Sequence, residues 1–262
     1  ITRFIFFIIL SLLFGQKISH MNGVYDLDGD QMLEFIALEL NPKENVFPNK
    51  VRYYEIDADS YQTLIWEFKP PVELAGDFVD AKIGDVDGDG SPEIVIVMNL
   101  SRFENNTTPH VFLATYSWTG TNFSEIPSYT LDLGKENRSL RCNNFKLFDQ
   151  DSDGDQEIVL ALGSPFRGFA VVNVNANGMS LSKKIRPDQL LVGSGLLYVG
   201  VVDYDGDGYA QGYFHLTHTG SSRAFDVDQQ STQDSDWVKV TSTGSNGTVC
   251  INQDDQGTSV GC

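Results

Sequence analysis

Hydrophobic positions in this chain come in short runs and not in a stripe of helical period. Four of the runs follow directly on an acidic stretch: YDLDGDQMLEFIAL at 25–38, GDVDGDGSPEIVIV at 84–97, FDQDSDGDQEIVLAL at 148–162 and VDYDGDGYAQGYFHL at 202–216. Runs this short, rich in β-branched and aromatic residues and bounded by turn formers, predict strands. Further strands follow in each unit. The second continues with HVFLATYSW, a TGTN turn and PSYTLDL; the third with FAVVNVN, an Asn177–Gly178 turn and MSLSKKI. In the first unit VRYYEID and TLIWEF fill the third and fourth places, and in the fourth AFDVDQ and WVKVTS do so less clearly. Each unit is therefore predicted as a four-stranded antiparallel sheet whose first hairpin is closed by the acidic loop.

The loops begin at Asp26, Asp85, Asp149 and Asp203, separated by 59, 64 and 54 residues. A sheet of that size cannot cover both of its faces, and repeated sheets cover one another by stacking. The expected fold class is all-β: a β-propeller-like array of about four four-stranded antiparallel blades with calcium-binding hairpin loops. Blades are expected at about 22–76, 77–138, 139–194 and 195–245, with 246–262 as a polar tail.

Within each loop the acids are spaced for one purpose. Counting from the first Asp, positions 1, 3 and 5 are Asp26, Asp28, Asp30; Asp85, Asp87, Asp89; Asp149, Asp151, Asp153; and Asp203, Asp205, Asp207. Position 6 is Gly90, Gly154 and Gly208 in three loops and Gln31 in the first; position 9 is Glu34, Glu93, Glu157 and Gln211. Alternate carboxylates face the inside of a tight turn, and glycine at the sixth place lets later ligands come round. Position 7, which is Ser91, Asp155 or Tyr209 in the later loops, offers its backbone carbonyl.

Two carboxylates about 4 Å apart repel by roughly 4 kcal/mol at an effective dielectric near 20. Several such pairs would consume much of the 5–15 kcal/mol, roughly, by which domains are stable. A divalent cation reverses that sign. Flexible oxygen ligands in this number suit calcium; magnesium keeps its waters, and zinc would call for His or Cys, absent from the loops. Gln31 implies a strained or differently shaped turn in the first loop, and Gln211 lowers the ligand charge in the fourth.

An EF-hand needs a bidentate Glu at position 12, and here that place is held by Ala37, Ile96, Leu160 and Phe214. A nonapeptide solenoid would repeat about every nine residues. The pattern Asp-x-Asp-x-Asp-Gly-x-x-Glu before an Ile/Val run instead resembles the FG-GAP and VCBS repeats of integrin α-subunit propellers and many exported bacterial proteins. The resemblance covers residues 22–245 and implies a calcium-stabilised propeller; since such propellers usually have about seven blades, it also implies that four blades are a fragment.

Composition narrows the partners. A formal charge of −18, from 36 acids against 18 bases, argues against nucleic acid, and no basic block reverses it. The apolar stretch Phe4–Phe14, eleven residues after Arg3, is too short for the roughly 20 of a membrane-spanning helix and fits the core of a secretory signal within residues 1–19. A buried strand or a short anchor is the alternative. The expected location is accordingly secreted, periplasmic or at the cell surface, with no membrane span in the mature chain. Cys250 and Cys262 could pair there, leaving Cys142 single, or all three thiols stay unpaired. Matches to the glycosylation acceptor at Asn99, Asn105, Asn122, Asn137 and Asn246 add nothing in a chain this rich in Asn, Ser and Thr.

No nucleophile elbow, zincin helix or phosphate loop is present. His215 and His218, three apart on a strand, face opposite sides. The first functional expectation is a non-enzymatic propeller binding an extracellular protein or glycan, with Trp118, Tyr53 and Tyr54 as weak contact candidates. The alternative is an accessory or catalytic propeller of a polysaccharide-degrading lyase or hydrolase; a structural spacer is third.

Overall fold

A computed structural model of the chain describes residues 17–40, 50–57, 61–70, 76–100, 110–134, 140–149, 153–163, 166, 168–185, 196–202, 211–216, 221–226, 238–242 and 249–251. Its regular elements are strands, and no α-helix occurs among the described residues. The first sheet runs β1 (Lys17–Tyr25), β2 (Leu33–Leu40), β3 (Lys50–Ile56) and β4 (Gln62–Phe68); the second runs β5 (Gly76–Gly84), β6 (Glu93–Leu100), β7 (His110–Trp118) and β8 (Phe123–Thr130). The third runs β9 (Cys142–Phe148), β10 (Glu157–Leu162), β11 (Gly168–Asn175) and β12 (Gly178–Ile185). In the fourth, β13 (Leu196–Val202), β14 (Gln211–Leu216), β15 (Ser221–Asp226) and β16 (Val238–Ser242) are followed by β17 (Val249–Ile251). Every sheet is an antiparallel meander in chain order, so the expected all-β, blade-like architecture holds.

Four details differ from the sequence expectation. The fourth sheet has five strands, because Val249 and Ile251 of the expected polar tail pair with Ser242 and Val240 and close the open edge of β16. Strand β8 starts at Phe123, opposite Trp118, and not at Pro127; the TGTN turn reverses the chain at once, and Pro127 is tolerated because β8 is an edge. The third hairpin turns on Ala176 and Asn177, since Asn175 pairs with Gly178 and its Oδ1 accepts the Asn177 N–H at 2.9 Å. Strand β1 begins within the stretch read as a signal, and residues 1–16 lie outside the described residues.

The chain forms two compact units, 1–85 with 89–130 and 86–88 with 131–262. In the first, two sheets pack face to face. Alternate residues of β6, Ile94, Ile96, Met98 and Leu100, meet Ile36 and Leu38 of β2, Val51 and Tyr53 of β3 and Phe68 of β4. The second strands β6 and β10 are buried on both sides, which is why EIVIVMNL and EIVLAL read as unbroken apolar runs. The fourth strands β4 and β8 are largely exposed, and their sequences are correspondingly mixed. In the second unit β13 lies against β9 and β10.

The other face of the first sheet holds Phe35 stacked on Tyr54 at 5.2 Å, beside Ala37 and Ile56. At its end Arg52 bridges two acids: Nη1 donates to Glu39 at 2.7 Å and Nε to Glu67 at 2.7 Å. Tyr54 donates its hydroxyl to the same Glu39, which is buried at 4% exposure. Burial, then Glu39, pushes the Tyr54 phenol up to about 12.

Candidate metal centre

One backbone pairing closes all four acidic loops. The residue before the first Asp lies opposite position 9 in every case: Tyr25 opposite Glu34, Gly84 opposite Glu93, Phe148 opposite Glu157 and Val202 opposite Gln211. Between these rungs the described loops repeat two side-chain-to-backbone bonds. The first Asp accepts the N–H of position 6, from Gln31 to Asp26 at 3.2 Å, Gly90 to Asp85 at 3.1 Å and Gly154 to Asp149 at 3.2 Å. The third Asp accepts the N–H of position 7, from Met32 to Asp30 and Ser91 to Asp89 at 2.7 Å and from Asp155 to Asp153 at 3.2 Å. Short polar side chains favour this local bonding, so the sequence itself sets the turn.

Position 6 requires a left-handed backbone, with φ of 86° at Gly90 and 108° at Gly154. Gln31 keeps the same shape at φ 70°, so the substitution has left the turn unchanged and placed the strain in its own backbone. Replacing Gln31 by Gly is expected to raise stability by about 0.5–1 kcal/mol, measured by denaturant unfolding.

Three loops bring their acids together. Carboxylate oxygens of Asp26, Asp28, Asp30 and Glu34 lie within 4.8 Å of one another, as do those of Asp85, Asp87 and Glu93 and those of Asp153, Asp155 and Glu157. Asp89 and Asp149 stand outside these groups and hold backbone N–H groups instead. Asp151, Asp203, Asp205, Asp207 and Tyr209 lie outside the described residues, while Gln211 sits at its rung in β14. The ninth-position glutamates are buried, with exposures of 2% for Glu34, 0% for Glu93 and 3% for Glu157. Leu27 N–H donates to Glu34 at 2.9 Å, and the Ser117 hydroxyl donates to Glu93 at 3.2 Å.

These clusters could bind a metal ion. Every donor is an oxygen, and Asp149 Oδ1 is a buried acceptor with no hydrogen-bond partner. A buried carboxylate without a counter-charge is costly, and a hard cation supplies that charge. Without one, burial and then the charges of Asp28 and Asp26 raise the Glu34 carboxyl above the usual 4.5. Glu55, opposite Glu34 in β3, is raised by its desolvation and by Asp30, Asp28 and Asp57. A raised carboxyl favours the fold in its protonated form, so this contribution is whole below about 4.5 and is lost as pH rises through the raised value. With chelator present, the melting temperature is therefore expected to fall from acid toward neutral pH, and Glu34→Gln to flatten the fall; thermal melts along a pH series check this.

The aromatic contact candidates lie largely within the packing of the sheets. Tyr53 and Tyr54 are core residues, and Trp118 is half-buried against Phe123, ring centroids 4.9 Å apart. His215 lies in β14, and His218 lies outside the described residues. Cys142 is buried, which pushes its thiol up; Cys250 is in β17, and Cys262 lies outside the described residues. The sequence reading missed the burial of the ninth-position glutamates and the contact of Ser117 with Glu93. The alternation of β7, which puts Ser117 on the face of Thr115, was the available signal.

No family model matches the chain. A stretch of 106 residues, 37% of the chain, is 29% identical to the rhamnogalacturonan endolyase YesW of Bacillus subtilis (strain 168), and the match spans 16% of that protein. The rhamnogalacturonan lyase PL11 of Bacillus licheniformis aligns with a TM-score of 0.47 at 17% identity, covering 75% of this chain and 39% of the lyase. An exo-β-1,3-galactanase from Phanerochaete chrysosporium aligns with a TM-score of 0.45 at 13% identity, covering 82% of this chain and 48% of the galactanase.

Proposed function

We propose that the chain is part of an exported, calcium-stabilised β-propeller protein that acts on an acidic plant-type polysaccharide, in the manner of a rhamnogalacturonan lyase. The observation that carries the metal is the acidic loop closed by one rung in all four sheets, with three described clusters of converging carboxylates. The 29% identity with a rhamnogalacturonan endolyase supports the polysaccharide. Calcium held by Asp26, Asp28, Asp30 and Glu34, and by the matching sets of the later loops, would cancel their mutual repulsion and lock each first hairpin. It would also lower the strong negative charge that otherwise keeps a polyanionic sugar away. Carboxylates committed to a cation stay ionised and are poor proton donors, so the ions are structural.

The adhesive reading, an extracellular protein or glycan ligand bound without turnover, has less support because the sequence relative is a lyase. The FG-GAP/VCBS resemblance agrees with both readings. Incubation of the purified chain with rhamnogalacturonan, with calcium or with chelator, separates them. Calcium-dependent retention on the polymer together with release of unsaturated, ultraviolet-absorbing oligosaccharides supports the lyase. Retention without cleavage favours adhesion, and neither retention nor cleavage overturns the polysaccharide assignment.

A further inference from the structure

Opposite the ninth loop position, on the third strand of three sheets, stands an oxygen-bearing residue. Glu34 pairs with Glu55, Glu93 with Ser117 and Gln211 with Asp226. In the third sheet the ladder ends at the Ile158–Val172 rung, and Asn173 and Glu157 are the next residues beyond it on the two strands. Directly opposed residues of an antiparallel pair project from one face with their Cβ atoms about 5 Å apart. Glu55 and Ser117 therefore flank the buried glutamate of their loop, and Asn173 holds the next place beyond the last rung of the third. None of them belongs to the acidic motif, and they reach it only through strand register.

A second observation bears on the same places. Among the described residues, Asp149 Oδ1 and Asn173 Oδ1 are buried side-chain oxygens that lack a hydrogen-bond partner. Asp149 opens the third loop, and Asn173 is one residue beyond the rung that pairs Val172 with Ile158, the residue after its ninth position. Both orphaned atoms are acceptors, so what they lack is a donor or a cation. Tyr53, itself only 2% exposed, sits two residues from Glu55 on the same strand face and has its hydroxyl beside Glu34. Calcium takes six to eight oxygens, roughly, and the converged clusters supply three or four carboxylates each.

We propose that the third strand completes the cation sites of the first three sheets through this opposed residue: Glu55 and Asn173 as additional oxygen donors, and Ser117 as the residue that positions Glu93. The inference rests on the calcium reading and extends it to residues outside the loops. It also gives the ion a mechanical role, since a ligand from the third strand ties all of the first three strands of a sheet to one centre.

Calorimetric titration of the metal-free chain with calcium tests it. Asn173→Leu keeps the volume and removes the acceptor, and is expected to weaken one site about tenfold. Asn173→Asp adds a charged oxygen and is expected to tighten that site, a gain that a merely structural asparagine would not produce. If Asn173→Leu fails to fold, Glu55→Gln is read in the same way at the first loop. Calcium uptake by the parent chain with unchanged affinity in these variants overturns the third-strand assignment alone. No uptake by the parent chain overturns the calcium reading and this inference together.

Discussion

Chelating divalent cations is expected to lower the melting temperature of this chain by about 10 °C, with calcium restoring it and magnesium doing so poorly. The size follows from linkage: an ion present at a thousand times its dissociation constant stabilises the fold by about 4 kcal/mol per site, and each kcal/mol moves the midpoint by a few degrees. The structural reason is the burial of Glu34, Glu93 and Glu157 beside other acids, which is unfavourable until a cation enters. Asp87→Asn, in a cluster of three carboxylates, should remove part of the calcium effect while raising the midpoint of the metal-free protein. Thermal melts with chelator and with added calcium read both results. A chain indifferent to chelation that takes up no calcium would end the metal interpretation.

Arg52→Leu is expected to cost about 3–5 kcal/mol in denaturant unfolding. Arg52 and Glu39 are 2.7 Å apart with side-chain exposures of 13% and 5%, so removal of the guanidinium leaves a buried carboxylate held by the Tyr54 hydroxyl but without a counter-charge. Replacing both, Arg52→Leu with Glu39→Leu, should return most of the loss, because the desolvation cost disappears with the second charge. Glu67 softens the single change only slightly, being more exposed at 30%. Equal losses in the single and double variants would show that packing of the arginine stem, and not the unpaired charge, sets the cost.

The repeat was legible because its causes are local. Asp at positions 1, 3 and 5 with glycine at 6 dictates a turn through bonds spanning two to five residues, and those bonds are the ones found at Asp26, Asp30, Asp85, Asp89, Asp149 and Asp153. Gln31 was legible as a point of strain, though its choice of the glycine-like backbone was not. The strand β17 was missed because a three-residue run becomes a strand only when a neighbouring edge is open to it. Likewise the start of β8 depended on how sharply the chain turned after Trp118.

By itself, then, the sequence determined the all-β meanders, their number and the oxygen-rich loops, since turn bonding and the alternation of apolar residues act within a few positions. Only the tertiary structure decided which carboxylates converge, that Glu93 is fully buried, and that Ser117 and Glu55 stand across from the ninth position. Those facts arise from strand register and from the packing of sheet on sheet. Both couple residues twenty or more positions apart, where no local preference reaches.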